Sequence, residues 1–297
     1  MKEVRIAVCL FGQIRTGLYC APAIKAAHDL IDGKEIVIQI NKRKREVCRI
    51  KIDYFCWTKD FDSNGLVHGK TFGELTNKLN ESDINDVFSI YNPAKKGITT
   101  FDDDVKDNDI QSNIKWLMPK PLLLSIVSSM NLKKEYELDC GLPYDFCFCQ
   151  RYDSLTTPFN PVERIVREHG IRDNIIYSHW ITSFPQEDNA WGVGDFWFGG
   201  DSLAMDLMSA SLSQYLNSDL ADTSLNESQL GYGPNVMLYN AMHQNNIWVV
   251  EFPGGLNSSP VRPESDLTLD VLDHSTAGKH HTHFEVNHPN IKAQVKK

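Results

Sequence analysis

The first candidate for chemistry is a short turn that follows the first apolar segment of the chain. Residues 4–11 (VRIAVCLF) are mostly apolar, and the run stops at Gly12. Glycine lets the backbone approach a ligand closely, and the guanidinium of Arg15 offers a fork of donors that suits a diphosphate. With Gln13 between them, these residues form a predicted donor-binding turn. The alternative is an ordinary strand-to-helix turn with a solvated arginine.

The second candidate is the triplet Arg151, Tyr152 and Asp153, which follows the aromatic run at residues 144–149 (YDFCFC). That run has the length and composition of a strand buried on both faces. In open α/β sheets, ligands bind outside the carboxyl ends of strands. Asp153 can therefore hold a divalent cation, Mn²⁺ or Mg²⁺, on a diphosphate while Arg151 reaches phosphate or ribose oxygens. The alternative is a charged pair that only caps the strand.

The third candidate is the glycine-rich segment at residues 192–201 (GVGDFWFGGD). Its glycines let the backbone curve around a ligand, and its aromatic side chains can stack on the face of a sugar. Asp195 is predicted to bind a hydroxyl group or to act as the catalytic base. Asp201 is predicted only as the N-cap of the next helix. The alternative is a plain strand between two turns.

Alternating strand and helix patterns predict the framework that positions these segments. Strand-like runs occupy residues 4–11, 36–40, 50–54, 144–149, 175–181, 196–198 and 247–252. Helix signatures occupy residues 21–31, 121–138, 202–216 and 234–244. The alternation favours an α/β fold, a single Rossmann-like domain over residues 1–297 with a mostly parallel central sheet flanked by helices. Residues 262–297 are predicted to be a loop-rich tail.

Two local features add detail to this framework. The runs at residues 36–40 and 50–54 are predicted to pair as a hairpin, or as two strands with a charged connection. Between residues 58 and 112 the sequence is polar, and only residues 72–79 and 87–91 are predicted as elements.

The overall charge restricts the class of partner. The formal net charge is -9, which argues against a protein that grips a nucleic-acid backbone. The basic stretch at residues 42–45 (KRKR) is predicted to be a solvated hairpin tip, since charged tips commonly protect sheet edges. Any anionic ligand must therefore meet a local group of donors.

The cysteines and the apolar runs indicate the compartment. The seven cysteines are odd in number and several lie in apolar runs, which predicts free thiols in a reducing compartment, the cytoplasm. Cys147 and Cys149 are predicted to be packing groups rather than a metal pair. No apolar run approaches the length of a membrane-spanning helix, so no membrane span is expected.

Histidines near the C-terminus are a further candidate for metal binding. His281 and His283 form a His-x-His pair whose imidazoles can ligate a metal. The alternative is a polar tail without a bound ion.

Four segments together resemble a family of GT-A-type glycosyltransferases found in phages, giant viruses and bacteria. They are residues 7–16 (AVCLFGQIRT), 53–57 (DYFCW), 133–153 (KKEYELDCGLPYDFCFCQRYD) and 194–206 (GDFWFGGDSLAMD). The resemblance implies a GT-A fold, a nucleotide-sugar donor, and transfer of the sugar to a carbohydrate or other acceptor. It also implies the host cytoplasm as the location if the protein is viral.

The resemblance implies roles for particular residues. In that family an Arg-x-Asp stands where other GT-A enzymes carry a metal-binding Asp-x-Asp, which implies a diphosphate and cation role for Asp153 and a donor-binding role for Arg151. The family's Gly-x-x-Arg turn corresponds to Gly12 and Arg15. Because the triplet has a single carboxylate, metal dependence does not follow. The family's acidic residue before the late helix corresponds only loosely to Glu227.

Two other functions use the same features. A nucleotidyltransferase has a related sheet, but it would need a cation-rich glycine loop and paired metal-binding acids, whereas residues 12–17 carry one cation. A sugar-binding module without catalysis would keep the aromatic and glycine residues, with no requirement for Arg15 or Asp153.

Overall fold

Strands and helices alternate along the protein. A computed structural model describes residues 1–14, 17–41, 44–63, 76–100, 119–154, 160–184, 190–217 and 234–252. The strands are β1 (Lys2–Phe11), β2 (Glu35–Asn41), β3 (Lys44–Lys59), β4 (Phe61–Ser63), β5 (Thr76–Lys78), β6 (Lys95–Thr99), β7 (Phe146–Arg151), β8 (Ile175–Ser178), β9 (Ile181–Phe184), β10 (Ala190–Val193), β11 (Trp197–Asp201) and β12 (Trp248–Glu251). The helices are α1 (Gly17–Asp29), α2 (Glu81–Tyr91), α3 (Pro119–Cys140), α4 (Pro161–Arg164), α5 (Ser202–Asn217) and α6 (Pro234–Gln244), and α4 continues as a π-helical turn at Ile165–His169. The α/β class is confirmed.

The main sheet is mixed rather than mostly parallel. Its strands lie in the order β12-β8-β11-β7-β1-β3-β2, and β6 pairs with the far end of β3. β1 is parallel to both β3 and β7, β6 is parallel to β3, and β12 is parallel to β8. β2 and β11 run the opposite way. The expectation of a mostly parallel sheet is therefore not confirmed.

Short connections explain the two reversed strands. A parallel neighbour needs a crossover of about a dozen residues or more, usually a helix. β2 and β3 are joined directly, with Asn41 opposite Lys44, so they pair as the predicted antiparallel hairpin. The connection from β8 to β11 contains the β9-β10 hairpin instead of a helix, and β11 returns antiparallel to β8.

Helices cover both faces of this sheet, because the central strand is apolar on both sides. From Val4 to Phe11, every side chain of β1 is buried. Ile6, Val8 and Leu10 pack with residues of α1, α2 and α4 on one face. On the other face, the intervening residues pack with α3, α5 and α6. β1 thereby anchors the two layers, and its carboxyl end points to the edge where six strands end.

Several local predictions are also confirmed. Asp201 caps α5, since its carboxylate accepts the backbone N–H of Ala204 at 3.1 Å. The predicted helix at residues 121–138 corresponds to α3. No helix in the described ranges combines the length and apolar character that crossing a membrane requires. The basic residues 42 and 43 and the tail at 262–297 lie outside the described residues, and the single-domain boundary stays a prediction.

Candidate functional site

The chain changes direction across the sheet at β1. After β1 it adds β3 and then β6 on one side, and α3 returns it to place β7 on the other side of β1. In open α/β sheets, such a switch point leaves a crevice outside the carboxyl ends of the two diverging strands, where ligands bind. Phe11 pairs with Arg151, so β1 and β7 end side by side at this crevice. Two of the three segments predicted to carry chemistry thus meet there.

The turn after β1 has a glycine because of its backbone conformation. Gly12 has φ +92°, and a Cβ built on it would meet nothing within 4 Å. Gly12 itself is buried, so its positive φ accounts for the glycine, and the donor-binding role stays a prediction. The buried Thr58 hydroxyl at the end of β3 donates to the Gly12 carbonyl oxygen at 3.0 Å and holds the turn. Gln13 is half-buried beside it, whereas Arg15 lies outside the described residues.

The end of β7 carries a two-pronged ion pair. Nε and Nη2 of Arg151 donate to the two carboxylate oxygens of Asp153, at 2.8 Å each. The side chain of Asp153 is 3% exposed, whereas that of Arg151 is 18% exposed. Tyr152, between them, is fully buried in the core. Fork-to-fork pairs of this kind are directional as well as strong, so Asp153 fixes the plane of the guanidinium.

Asp195 joins the same group from the turn before β11. Its carboxylate accepts from Arg151 Nη1 at 3.4 Å and from Asn235 Nδ2 at 3.5 Å. The Asn235 amide also donates to the Val193 carbonyl oxygen at 2.8 Å, which ties the first turn of α6 to β10. We call Arg151, Asp153, Asp195 and Asn235 the Arg151 cluster. Asn235 was not predicted, because one asparagine after a proline is a common helix start.

The charges of the Arg151 cluster do not cancel. Burial lowers the pKa of Arg151, but the charges and hydrogen bonds of Asp153 and Asp195 outweigh it and raise that pKa above the ordinary range. One guanidinium between two carboxylates leaves a net negative charge. A diphosphate would be repelled here unless a further cation offsets that charge. Both carboxylates carry the oxygen ligands that Mg²⁺ and Mn²⁺ prefer, although both oxygens of Asp153 already accept from Arg151.

His179 is a second residue that the sequence interpretation missed. It follows β8 at the same edge, and its ring stacks on that of Phe196 at 5.1 Å, with 7° between the planes. Nδ1 lies 3.2 Å from the Trp197 carbonyl oxygen, while the buried Nε2 has no hydrogen-bond partner among the described residues. Burial lowers the pKa of His179 to about 4, so the ring is neutral near pH 7. The strand-end rule that selected Arg151 would also have selected His179.

The segment between β10 and β11 leaves room for the His179 ring because it contains a glycine at the point of contact. A Cβ added to Gly194 would lie 2.0 Å from Cε1 of His179, so only glycine allows the close approach. Phe196 contacts two groups of the site. Its ring stacks on that of His179, and the guanidinium carbon of Arg151 lies 5.3 Å from the centroid of the same ring. The rings of His179 and Phe196 therefore form the surface against which the guanidinium of Arg151 packs. We call this surface the wall of the site.

Among the described residues, candidate metal ligands lie close together in the core rather than in the Arg151 cluster. Only the thiols of Cys9, Cys147 and Cys149 form a group of three ligand side chains there. At the crevice, Asp153 and Asp195 are linked through one guanidinium. His281, His283 and Glu227 lie outside the described residues, so their predicted roles stay predictions.

The comparisons with known proteins add no relative. No protein-family model matches the chain, and a search of curated proteins finds no significant match.

Proposed function

We propose that the protein is a glycosyltransferase with a GT-A-like, Rossmann-like domain, which transfers a sugar from a nucleotide-diphosphate donor to a carbohydrate or other acceptor. The observation that carries the proposal is the Arg151 cluster beside the Gly12 turn at the switch point of the sheet. In such sheets this crevice is the preferred ligand site. A diphosphate donor suits this place because a forked guanidinium and a glycine turn follow the carboxyl ends of two neighbouring strands.

The donor side of the reaction rests on the ends of β1 and β7. The Gly12 and Gln13 backbone, together with the side chain of Arg15, takes the phosphate oxygens nearest β1. Arg151 donates to the diphosphate with the guanidinium that Asp153 holds in plane. A divalent cation, Mn²⁺ or Mg²⁺, held by Asp153 and by the diphosphate itself, would supply charge neutralisation of the leaving group.

Asp195 is the candidate catalytic base. In the transfer, the bond between the anomeric carbon and the diphosphate oxygen breaks, and its electron pair leaves with the diphosphate. The acceptor hydroxyl oxygen bonds to the anomeric carbon, and its proton passes to the Asp195 carboxylate. Asn235 and Arg151 each donate to a different oxygen of that carboxylate, at 3.5 and 3.4 Å. The nearby aromatic ring of Phe196 supports this wall of the site.

A sugar-binding module without catalysis is the second candidate, and one observation favours it. Both oxygens of Asp153 are already engaged by Arg151, as expected of a purely structural pair. The two functions differ in turnover rather than in affinity for the donor.

Incubation with a panel of sugar nucleotides tests the proposal. Each donor is incubated with the protein, with and without Mn²⁺, and the release of nucleoside diphosphate is measured. We expect release from at least one donor and its loss in Asp195→Asn. Arg167→Ala and Asp29→Asn, in exposed helical ion pairs, serve as charge-matched controls. Donor binding without release would favour the sugar-binding module, and release of pyrophosphate from nucleoside triphosphates would favour a nucleotidyltransferase.

A further inference from the structure

Four sulfur atoms meet in the core between the sheet and α3. Sγ of Cys9 lies 3.7 Å from Sγ of Cys147. The Met130 sulfur lies 3.4 Å from Sγ of Cys147 and 3.5 Å from Sγ of Cys149. The three thiol sulfurs all lie within 4.8 Å of one another. We call Cys9, Met130, Cys147 and Cys149 the sulfur cluster.

The fold assembles this cluster from distant parts of the chain. Cys9 on β1 is the register partner of Cys149 on β7, and Cys147 is two residues earlier on the same face. α3 places Met130 against the thiols of Cys147 and Cys149. All three cysteines are fully buried, so the cluster is dry. A dry group of soft ligands on three rigid elements is the setting of a structural metal site rather than of an exchangeable one.

We propose that the sulfur cluster is a structural zinc site, with three thiolates and the Met130 thioether as ligands. A Zn–S bond of about 2.3 Å places the sulfurs of a tetrahedral site about 3.8 Å apart. The observed sulfur separations of 3.4, 3.5 and 3.7 Å are close to that edge length. Thiolate and thioether ligands select soft or borderline ions, whereas Mg²⁺ and Mn²⁺ prefer oxygen. This site is therefore distinct from the cation expected at Asp153, and the proposal does not depend on the proposed function.

Lys133 is a buried cation on the same helix as Met130, and its ammonium is paired with Asp206 at 2.8 Å and with Glu137 at 3.1 Å. One Zn²⁺ and three thiolates carry a net negative charge, which is costly in an apolar core unless a cation lies nearby. The Lys133 side chain is fully buried on α3, one helical turn beyond Met130, and its charge acts on the Cys147 thiol. The thiols give up their protons as they ligate the ion, so binding releases up to three protons.

The competing account is that the four sulfurs only fill space. Contact between packed sulfur atoms would give similar separations, and buried cysteine commonly behaves as a small hydrophobe. The two accounts differ in one measurable property, because packed thiols retain no metal after purification.

Metal content after refolding distinguishes them. The full-length protein is unfolded with a chelator, refolded with Zn²⁺, separated from free ion, and its zinc is measured by mass spectrometry. We expect about one tightly held ion per chain. Cys9→Ala and Cys149→Ala should lower the zinc affinity by more than the roughly 100-fold that loss of an outer-shell partner costs. Refolding with Co²⁺ should give the intense thiolate-to-metal absorption of a sulfur-rich tetrahedral site.

Matched variants complete the test. Cys56→Ala removes a buried thiol on the other face of the sheet, and Met208→Leu removes a buried methionine outside the cluster, so both should retain zinc. Met130→Leu conserves volume and should fold, but it should bind zinc more weakly and change the Co²⁺ spectrum.

A further variant excludes the histidine tail as the source of bound metal. The double variant His281→Ala/His283→Ala should keep both the zinc and the thiolate absorption. Wild-type protein that retains no zinc, or Cys9→Ala and Met130→Leu variants that retain it like wild type, would overturn the proposal.

Discussion

Arg151 donates to both carboxylate oxygens of Asp153 across a single intervening residue, at 2.8 Å each. Tyr152 between them is fully buried, so the core holds this pair at the end of β7. Asp153 therefore holds the Nε and Nη2 atoms of Arg151 rigidly, while Nη1 of Arg151 extends toward Asp195. A donor held rigidly at a strand end is suited to bind a ligand with little loss of side-chain entropy.

Arg151→Lys should weaken binding of the donor. Lysine keeps the charge but loses the planar fork, so the bidentate contacts to Asp153 and to the diphosphate cannot both form. We expect affinity for the productive sugar nucleotide to fall by about 1.5 to 3 kcal/mol, measured by calorimetry. Arg167→Lys, at an exposed position of the π-helical turn after α4, is the matched control. Equal affinity in the Arg151 variant and wild type would remove the diphosphate from this strand end.

Asp153→Asn should reduce turnover much more than stability. Asparagine keeps the shape of the side chain but removes the charge that balances a cation and orients Arg151. We expect turnover with Mn²⁺ to fall about 10- to 100-fold or more, beside a smaller but measurable drop in melting temperature from the weakened pair with Arg151. Turnover is measured at several Mn²⁺ concentrations beside a thermal melt. Wild-type turnover at every concentration would show that Asp153 only caps the strand.

Gly194→Ala should destabilise the wall of the site. Its Cβ would lie 2.0 Å from Cε1 of His179, so the ring must move away from Phe196. We expect a loss of about 1 to 3 kcal/mol in the free energy of unfolding, as for other overpacked positions. In the double variant with His179→Ala the clash is gone, so the two losses should sum to more than the observed loss. Strict additivity would mean that the ring does not occupy this space.

Stability should fall in acid because of His28. Burial lowers its pKa to about 4, and its ring packs against Tyr54 and Phe148. The unfolded chain titrates at the ordinary value of 6.5, so protonation favours unfolding below that pH. The contribution of neutral His28 to the free energy of unfolding is complete above pH 6.5. It falls by about 3 kcal/mol between pH 6.5 and pH 4, and it does not change further below pH 4.

The matched variant for this pH dependence is His28→Phe, which retains the aromatic contacts. Denaturant unfolding between pH 4 and 8 should show a flatter profile than wild type. His179 acts in the same direction, so part of the slope should remain. His243→Gln, at an exposed position of α6, should leave the profile unchanged. A His28→Phe profile as steep as wild type would assign the slope to other groups.

Local sequence determined much of the framework, because its signals act over a few residues. The apolar runs that became β1 and β7, the hairpin of β2 with β3, and the Asp201 cap of α5 were all predicted. β6 (Lys95–Thr99) was not predicted. It contains two lysines, and its half-buried residues alternate with exposed ones, which is typical of a strand at a sheet edge. Such a strand lacks the apolar run by which the other strands were predicted.

Tertiary structure alone decided strand direction and the groups that form across strands. β11 runs antiparallel because a hairpin, not a helix, connects it to β8, and composition does not encode that choice. Arg151 and Asp195 are 44 residues apart, and Cys9 and Cys147 are 138 apart, so only the strand order brings each pair together. Residue type and position after a strand could therefore identify individual residues of the candidate site. Their partners depend on non-local pairing, which follows from burying both faces of one sheet.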